Sequence, residues 1–130
     1  MTTVTPFLMF EGRAEEAMTR YVSVIPESRV LRLERFGADG PGAEGTVSLG
    51  EAVLAGQRVR FFDSSVHHDF GFTPALSLFV TVDTEDEVDR IVDALGGSFL
   101  MPPGDYGFSR RFAWVNDEFG VSWQVNAEPA

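Results

Sequence analysis

The chain has 130 residues and a formal charge of −10, with 44% hydrophobic and 23% charged residues. This length fits one domain, or two small units that share a core, and the composition is that of a folded globular protein. The absence of cysteine excludes disulfides, thiolate metal sites and cysteine nucleophiles, and the excess of acidic residues argues against nucleic acid as a partner.

The amino terminus indicates neither export nor insertion into a membrane. Residues 1–6 contain no basic segment followed by an apolar one, and no run approaches the roughly 20 apolar residues that cross a bilayer. We therefore expect a cytoplasmic protein that does not contact a membrane.

The first half of the sequence predicts the order strand, helix, strand, strand, strand. Residues 4–10 form a β-type run. The apolar positions that then recur at helical spacing are Ala14, Ala17, Met18, Tyr21 and Val24. Alternation over residues 28–36 predicts the second strand, and two more strands flank a tight turn near Ala55-Gly56. The glycine-rich segment 37–45 matches no phosphate-binding motif.

The second half repeats this order after a polar loop. Residues 76–82 predict a strand, residues 83–96 a helix, and residues 97–103 and the two runs within 112–126 the remaining strands. At an offset of 71 residues the apolar positions of the two halves coincide. This pattern is typical of a duplicated βαβββ module, with the first module at about 1–64 and the second at about 76–130.

Two segments resemble a known family. The segments TPFLMFEGRAEEAMTRYVSVIPES and MPPGDYGFSRRFAWVNDEFGVSWQVN resemble PhnB-like proteins of the glyoxalase/bleomycin resistance/dioxygenase (vicinal oxygen chelate) superfamily. Some of these proteins carry the label 3-demethylubiquinone-9 3-methyltransferase. The resemblance implies an α+β fold of two βαβββ modules that form a curled, cup-shaped mixed sheet with helices on the convex face. It also implies a homodimer and a site in the concavity.

In metal-dependent members of the superfamily, side chains from the first and last strands of each module hold a divalent ion. The resemblance places Pro6, Ser77, Phe62 and Gln124 at these positions, with Phe62 and Gln124 as equivalents in the two modules. Proline and phenylalanine offer no ligand, and a neutral hydroxyl or amide is a weak one. We therefore expect neither a metal nor another cofactor. No glycine-rich strand-to-helix turn supports methyltransferase chemistry.

The leading hypothesis is a metal-free binding protein for a small apolar or aromatic molecule. The residues predicted to line its cup are Leu8, Phe10, Phe62, Ser77, Phe79, Trp114 and Gln124. The alternative is an enzyme of the same fold, a lyase or isomerase, whose atypical metal site includes His67, His68 or a group from the partner chain.

Several residues have two interpretations at this point. Gln124 either contacts a ligand or satisfies buried backbone or a water, and the aromatic residues near it either line the pocket or fill the core. Residues 102–109 form either a lid or a surface loop. Arg110 or Arg111 either pairs with a ligand anion or balances the acidic surface.

Overall fold

The computed structural model describes all residues from Met1 to Ala130. The chain divides into two compact units, Met1–Asp69 and Phe70–Ala130. They are called module one and module two below.

Module one contains one helix and a four-stranded sheet. Its elements are β1 (Phe7–Phe10), α1 (Ala14–Val24), β2 (Arg29–Arg35), β3 (Val47–Leu54) and β4 (Gln57–Asp63). The strand order is β1-β4-β3-β2, with β1 parallel to β4 and the other pairs antiparallel.

Module two repeats this arrangement. Its elements are β5 (Ser77–Val82), α2 (Glu85–Leu95), β6 (Ser98–Gly104), β7 (Arg111–Asn116) and β8 (Ser122–Ala127). The strand order is β5-β8-β7-β6, again with the first and last strands of the module parallel. The predicted α+β class and the two βαβββ modules are confirmed. Neither helix, at 11 residues, is long or apolar enough to cross a membrane.

Helix α2 has the termini that its sequence predicts. The Thr84 hydroxyl accepts the Glu87 backbone N–H at 3.3 Å, and Gly96 ends the helix at φ 71°. Its buried stripe consists of Val88, Ile91, Val92 and Leu95. This stripe packs α2 against the sheet of module two.

Helix α1 begins without a side-chain cap of its own, because its N-cap residue is Arg13. A buried carboxylate from β4 takes that role: Asp63 accepts the backbone N–H groups of Gly12 at 2.8 Å, Ala14 at 3.0 Å and Val47 at 2.9 Å. One negative charge at the positive end of the helix therefore joins α1, β3 and β4.

The offset of 71 residues holds for the helices but not for the first strands. Three residues separate β1 from α1, whereas two separate β5 from α2. Leu8 and Phe10 face α1, and the corresponding residues Val80 and Val82 face α2. The first strands of the two modules are therefore related by an offset of 72 residues. Because successive side chains of a strand point to opposite faces, this one-residue difference exchanges the two faces of the strand.

Candidate functional site

The sheet of module two has one face turned away from α2, called the open face below. Phe79, Gln124 and Trp114 lie side by side on it, on β5, β8 and β7, and Met101 of β6 continues the row. Phe79 is 56% exposed, and the other three are half-buried. The row therefore places a carboxamide between two aromatic side chains at an accessible surface.

Hydroxyl groups fix the orientation of the indole ring in this row. Trp114 Nε1 donates to Ser122 Oγ at 2.9 Å, and the Ser122 and Ser77 hydroxyls are hydrogen-bonded at 2.9 Å. Ser122 is almost fully buried. Ser77 therefore acts as an outer support of Trp114, and its hydroxyl is already engaged.

The Gln124 amide has no hydrogen-bond partner within the chain. Backbone groups therefore do not bond to this amide, in contrast to the interpretation in which Gln124 satisfies buried backbone. Its carbonyl oxygen and its two N–H donors are available to a bound molecule.

Sequence reasoning found Gln124 but missed its polar neighbours on the same strand. Ser122 and Asn126 flank it at intervals of two residues and share its face. The signal was present in the sequence, because SWQVNA alternates polar and apolar residues from Ser122 onward.

An aromatic cover closes one end of the open face and consists of Tyr106 and Phe108. The Phe108 ring lies 5.0 Å from that of Phe112 and the Tyr106 ring 6.1 Å from it, as centroid distances. The Tyr106 hydroxyl donates to the Pro102 carbonyl at 2.5 Å. These contacts bury Phe112, and a lid function for the loop stays a prediction.

Both arginines that follow this loop already have oxygen partners. Arg110 donates to the carbonyls of Glu128 at 2.6 Å and Asp83 at 2.8 Å. Arg111 pairs with the Asp89 carboxylate of α2 at 2.8 Å. These bonds hold the ends of strands and the helix together, which argues against a ligand-anion site at either guanidinium group.

The placement of Leu8 and Phe10 in a binding cup was wrong. Both are buried, and they lie on the face of the module one sheet that packs under α1. Phe10 stacks with Phe61 at a centroid distance of 6.1 Å, and Phe61 in turn contacts Tyr21 of α1 at 6.0 Å. These residues form the helix–sheet core.

Phe62 lies on the opposite face of that sheet, beside Met9 in the register. Its ring contacts Phe7 at 5.8 Å and Phe36 at 6.4 Å. The structure thus brings together Ser77, Phe79, Trp114 and Gln124 in module two, and it places Phe62 in an aromatic group of module one.

The predicted equivalence of Phe62 with Gln124 was also wrong. Gly56 and Gly120 end the two corresponding loops at φ 90°, and Arg60 and Gln124 each follow four residues later. Each of the two also lies beside an exposed phenylalanine of the first strand. Arg60 is therefore the counterpart of Gln124.

With these corrections, the positions that the resemblance assigns to a metal do not fit a divalent ion. An offset of 72 makes Thr5, instead of Pro6, the counterpart of Ser77, so the four groups are two hydroxyls, an amide and a guanidinium. The Arg60 guanidinium is cationic and binds the Glu51 carboxylate at 2.8 Å. No three His, Asp or Glu side chains in the chain are grouped to hold a metal.

The two adjacent histidines belong to a loop contact in module one. Glu11 accepts from the His67 ring at 2.8 Å and from the His68 backbone N–H at 3.3 Å, while the His68 ring is bonded to Ser64 Oγ at 2.9 Å. Two hydrogen bonds hold the pKa of Glu11 below its ordinary value. The bond with the His67 ring has the larger effect, and the bond with the His68 backbone has the smaller one.

Comparison with known proteins agrees with this fold. Residues 2–126 match the family model described as 3-demethylubiquinone-9 3-methyltransferase. A putative 3-demethylubiquinone-9 3-methyltransferase, PhnB protein, from Bacillus cereus is 48% identical, with 97% of this chain and 99% of that chain covered and a TM-score of 0.93. No curated protein matches the chain.

Two further solved structures are similar. Protein PA1353 from Pseudomonas aeruginosa is 26% identical over 100% of both chains, with a TM-score of 0.85. A glyoxylase/bleomycin resistance protein/dioxygenase domain from Frankia is 14% identical over 98% of this chain and 93% of that chain, with a TM-score of 0.62, which shows a shared fold. The chain therefore belongs to the PhnB-like family, described as 3-demethylubiquinone-9 3-methyltransferase, and it shares its fold with a glyoxylase/bleomycin resistance protein/dioxygenase domain.

Proposed function

We propose that the open face of module two binds a small apolar or aromatic molecule without a metal or other cofactor. The observation that carries this proposal is the unbonded Gln124 amide between Phe79 and Trp114. A ligand ring stacks on the aromatic side chains, and the amide forms a hydrogen bond to a polar group on the ring.

The site is suited to binding because one of its aromatic rings is held in place before the ligand arrives. The bond from Trp114 to Ser122 limits rotation of the indole ring. Binding then loses little side-chain entropy, and an aromatic pair of good geometry contributes about 0.5–1.5 kcal/mol beyond its buried area.

The homodimer and the cytoplasmic location that the sequence predicts belong to the same proposal. Phe62 also remains a proposed contact, since it lies away from α1 on the sheet of module one. Leu8 and Phe10 do not, because the helix–sheet core already covers them.

The proposal is tested with 1-N-phenylnaphthylamine, a neutral aromatic probe whose fluorescence rises on binding. Phe79→Ala removes a ring from the open face, and Phe99→Ala removes one that is 45% exposed but lies on the other face of the sheet. We expect F79A to weaken binding about tenfold and F99A by less than about twofold, since one stacking contact and its buried area amount to about 1.4 kcal/mol. Equal affinities in wild type and F79A would refute the site.

The alternative is a lyase or isomerase with an atypical metal site at His67 and His68. One carboxylate, Glu11, contacts both residues, so a metal centred there would also need donors from elsewhere. Elemental analysis of the purified protein separates the two functions. Stoichiometric zinc, nickel, manganese or iron that is lost in His67→Ala would favour the alternative.

A further inference from the structure

Two carbonyl oxygens of the module two sheet are buried without a hydrogen-bond donor. They belong to the side chains of Asn126 and Asn116. Asn126 is 7% exposed and lies between Thr81 and Phe112 in the register. An acceptor in this condition has lost its water without gaining a partner, which is uncommon in a folded protein.

Both asparagines lie next to the proposed binding row. Asn126 is two residues beyond Gln124 on β8, about 7 Å along the strand, and Asn116 lies across from Ser122 on β7. The sheet therefore holds buried, unpartnered acceptors beside the aromatic side chains of the open face.

The charge of module two favours one kind of ligand over another. Residues 70–130 contain ten acidic residues and three arginines, a formal charge of −7. Arg110 and Arg111 are already bonded to oxygen atoms of the chain. The field of this module therefore attracts cations and repels anions, most strongly at low ionic strength.

We propose that the ligand of the open face is an aromatic molecule with N–H donors, neutral or cationic, and that Asn126 Oδ1 accepts a hydrogen bond from it. This inference rests on the proposed function and defines the chemical class of the ligand. An aromatic amine fits, since its ring stacks on Trp114 while its nitrogen supplies the missing donor. An aromatic carboxylate does not fit, because it brings acceptors and a negative charge.

The aromatic cover packs on the strand neighbour of Asn126. Phe112, the residue beneath the cover, lies directly across from Asn126. Tyr106 and Phe108 are 42% and 53% exposed. In this inference, a ligand that extends from Gln124 toward Asn126 displaces them.

Three probes with the same ring system test the inference: 9-aminoacridine, acridine and acridine-9-carboxylate, titrated near neutral pH with tryptophan fluorescence as the readout. For the wild type we expect 9-aminoacridine to bind at least about tenfold more tightly than the carboxylate. This ratio corresponds to the contribution of one hydrogen bond to a charged group. If acridine binds and the amine has no advantage, the inference is overturned while the proposed function stands. If none of the three binds, both fail.

Two variants of one residue separate the hydrogen bond from the packing. Asn126→Leu removes the acceptor and keeps the number and branching of the side-chain heavy atoms, and Asn126→Asp keeps the acceptor and adds a negative charge. We expect N126L to weaken 9-aminoacridine binding about fivefold to tenfold and to change acridine binding by less than about twofold. N126D should bind the amine at least as tightly as the wild type. A weaker affinity in N126D would show that the residue acts as a donor and would overturn the inference.

Discussion

Trp114 Nε1 donates a hydrogen bond to Ser122 Oγ at 2.9 Å across the β7–β8 pair. Ser122→Ala leaves the indole N–H without this partner and also removes the link to Ser77. We expect a loss of about 1–2 kcal/mol in the free energy of unfolding and weaker binding of 1-N-phenylnaphthylamine. Urea unfolding and probe titration measure the two effects. Ser98→Ala, at an exposed position of β6, serves as the control, and equal results for both variants would contradict the orienting role.

Asp117 ties together the loop between β7 and β8. Its buried carboxylate accepts the backbone N–H groups of Phe119 and Val121 and the Trp123 indole N–H, each at 2.9 Å. Asp117→Ala leaves these donors unsatisfied, so we expect a loss of about 3–5 kcal/mol in the free energy of unfolding. Asp105→Ala removes an exposed carboxylate that accepts one backbone N–H and should cost less than about 1 kcal/mol. Chemical denaturation compares the two, and similar losses would be inconsistent with this role.

The contact of Glu11 with His67 gives the stability a specific pH dependence. Since the folded pKa of Glu11 is below its ordinary value of 4.5, its stabilising contribution is full above that pH and is lost as the pH falls through the folded pKa. We expect the difference in unfolding free energy between wild type and Glu11→Gln to shrink toward zero across this acidic window. His67→Ala should remove most of the same difference, and the double variant little more. Identical pH profiles for wild type and E11Q would rule out the coupling.

Gly97 permits a close approach between the start of β6 and β7. A Cβ atom there would lie 1.9 Å from the Asn116 carbonyl oxygen, and the residue has φ +90°. Gly96→Ala is the matched control, because Gly96 has φ +71° with no atom within 4 Å of such a Cβ. We expect about 1–2 kcal/mol of destabilisation from backbone strain in G96A and roughly 3 kcal/mol or more in G97A. Thermal and urea unfolding test this order, and equal losses would contradict it.

The element order of the fold follows from sequence because each element carries its own local signal. The stripe of Val88, Ile91, Val92 and Leu95 and the terminal Gly96 identify α2 from one segment alone. The offset of 71 residues between the helices appears in the same apolar positions.

The face on which a strand residue lies does not follow from such signals. Leu8 and Phe10 stand in a run that is apolar on both faces, FLMF, so alternation cannot distinguish core from surface. The number of residues between β1 and α1 decides the face, and it differs by one between the modules. The mistaken match of Phe62 with Gln124 is a different error, a shift of two residues along one face of β4, whereas the mixed run of β8 places Gln124 correctly relative to Trp123.

The most direct test of the central claim is a titration of the wild-type protein with 1-N-phenylnaphthylamine, first after exhaustive chelation and then with zinc or manganese restored. A site built from Phe79, Gln124 and Trp114 predicts the same dissociation constant in both conditions. It also predicts that Trp114→Leu no longer binds the probe. Loss of binding on chelation, with recovery when the metal is restored, would contradict the account.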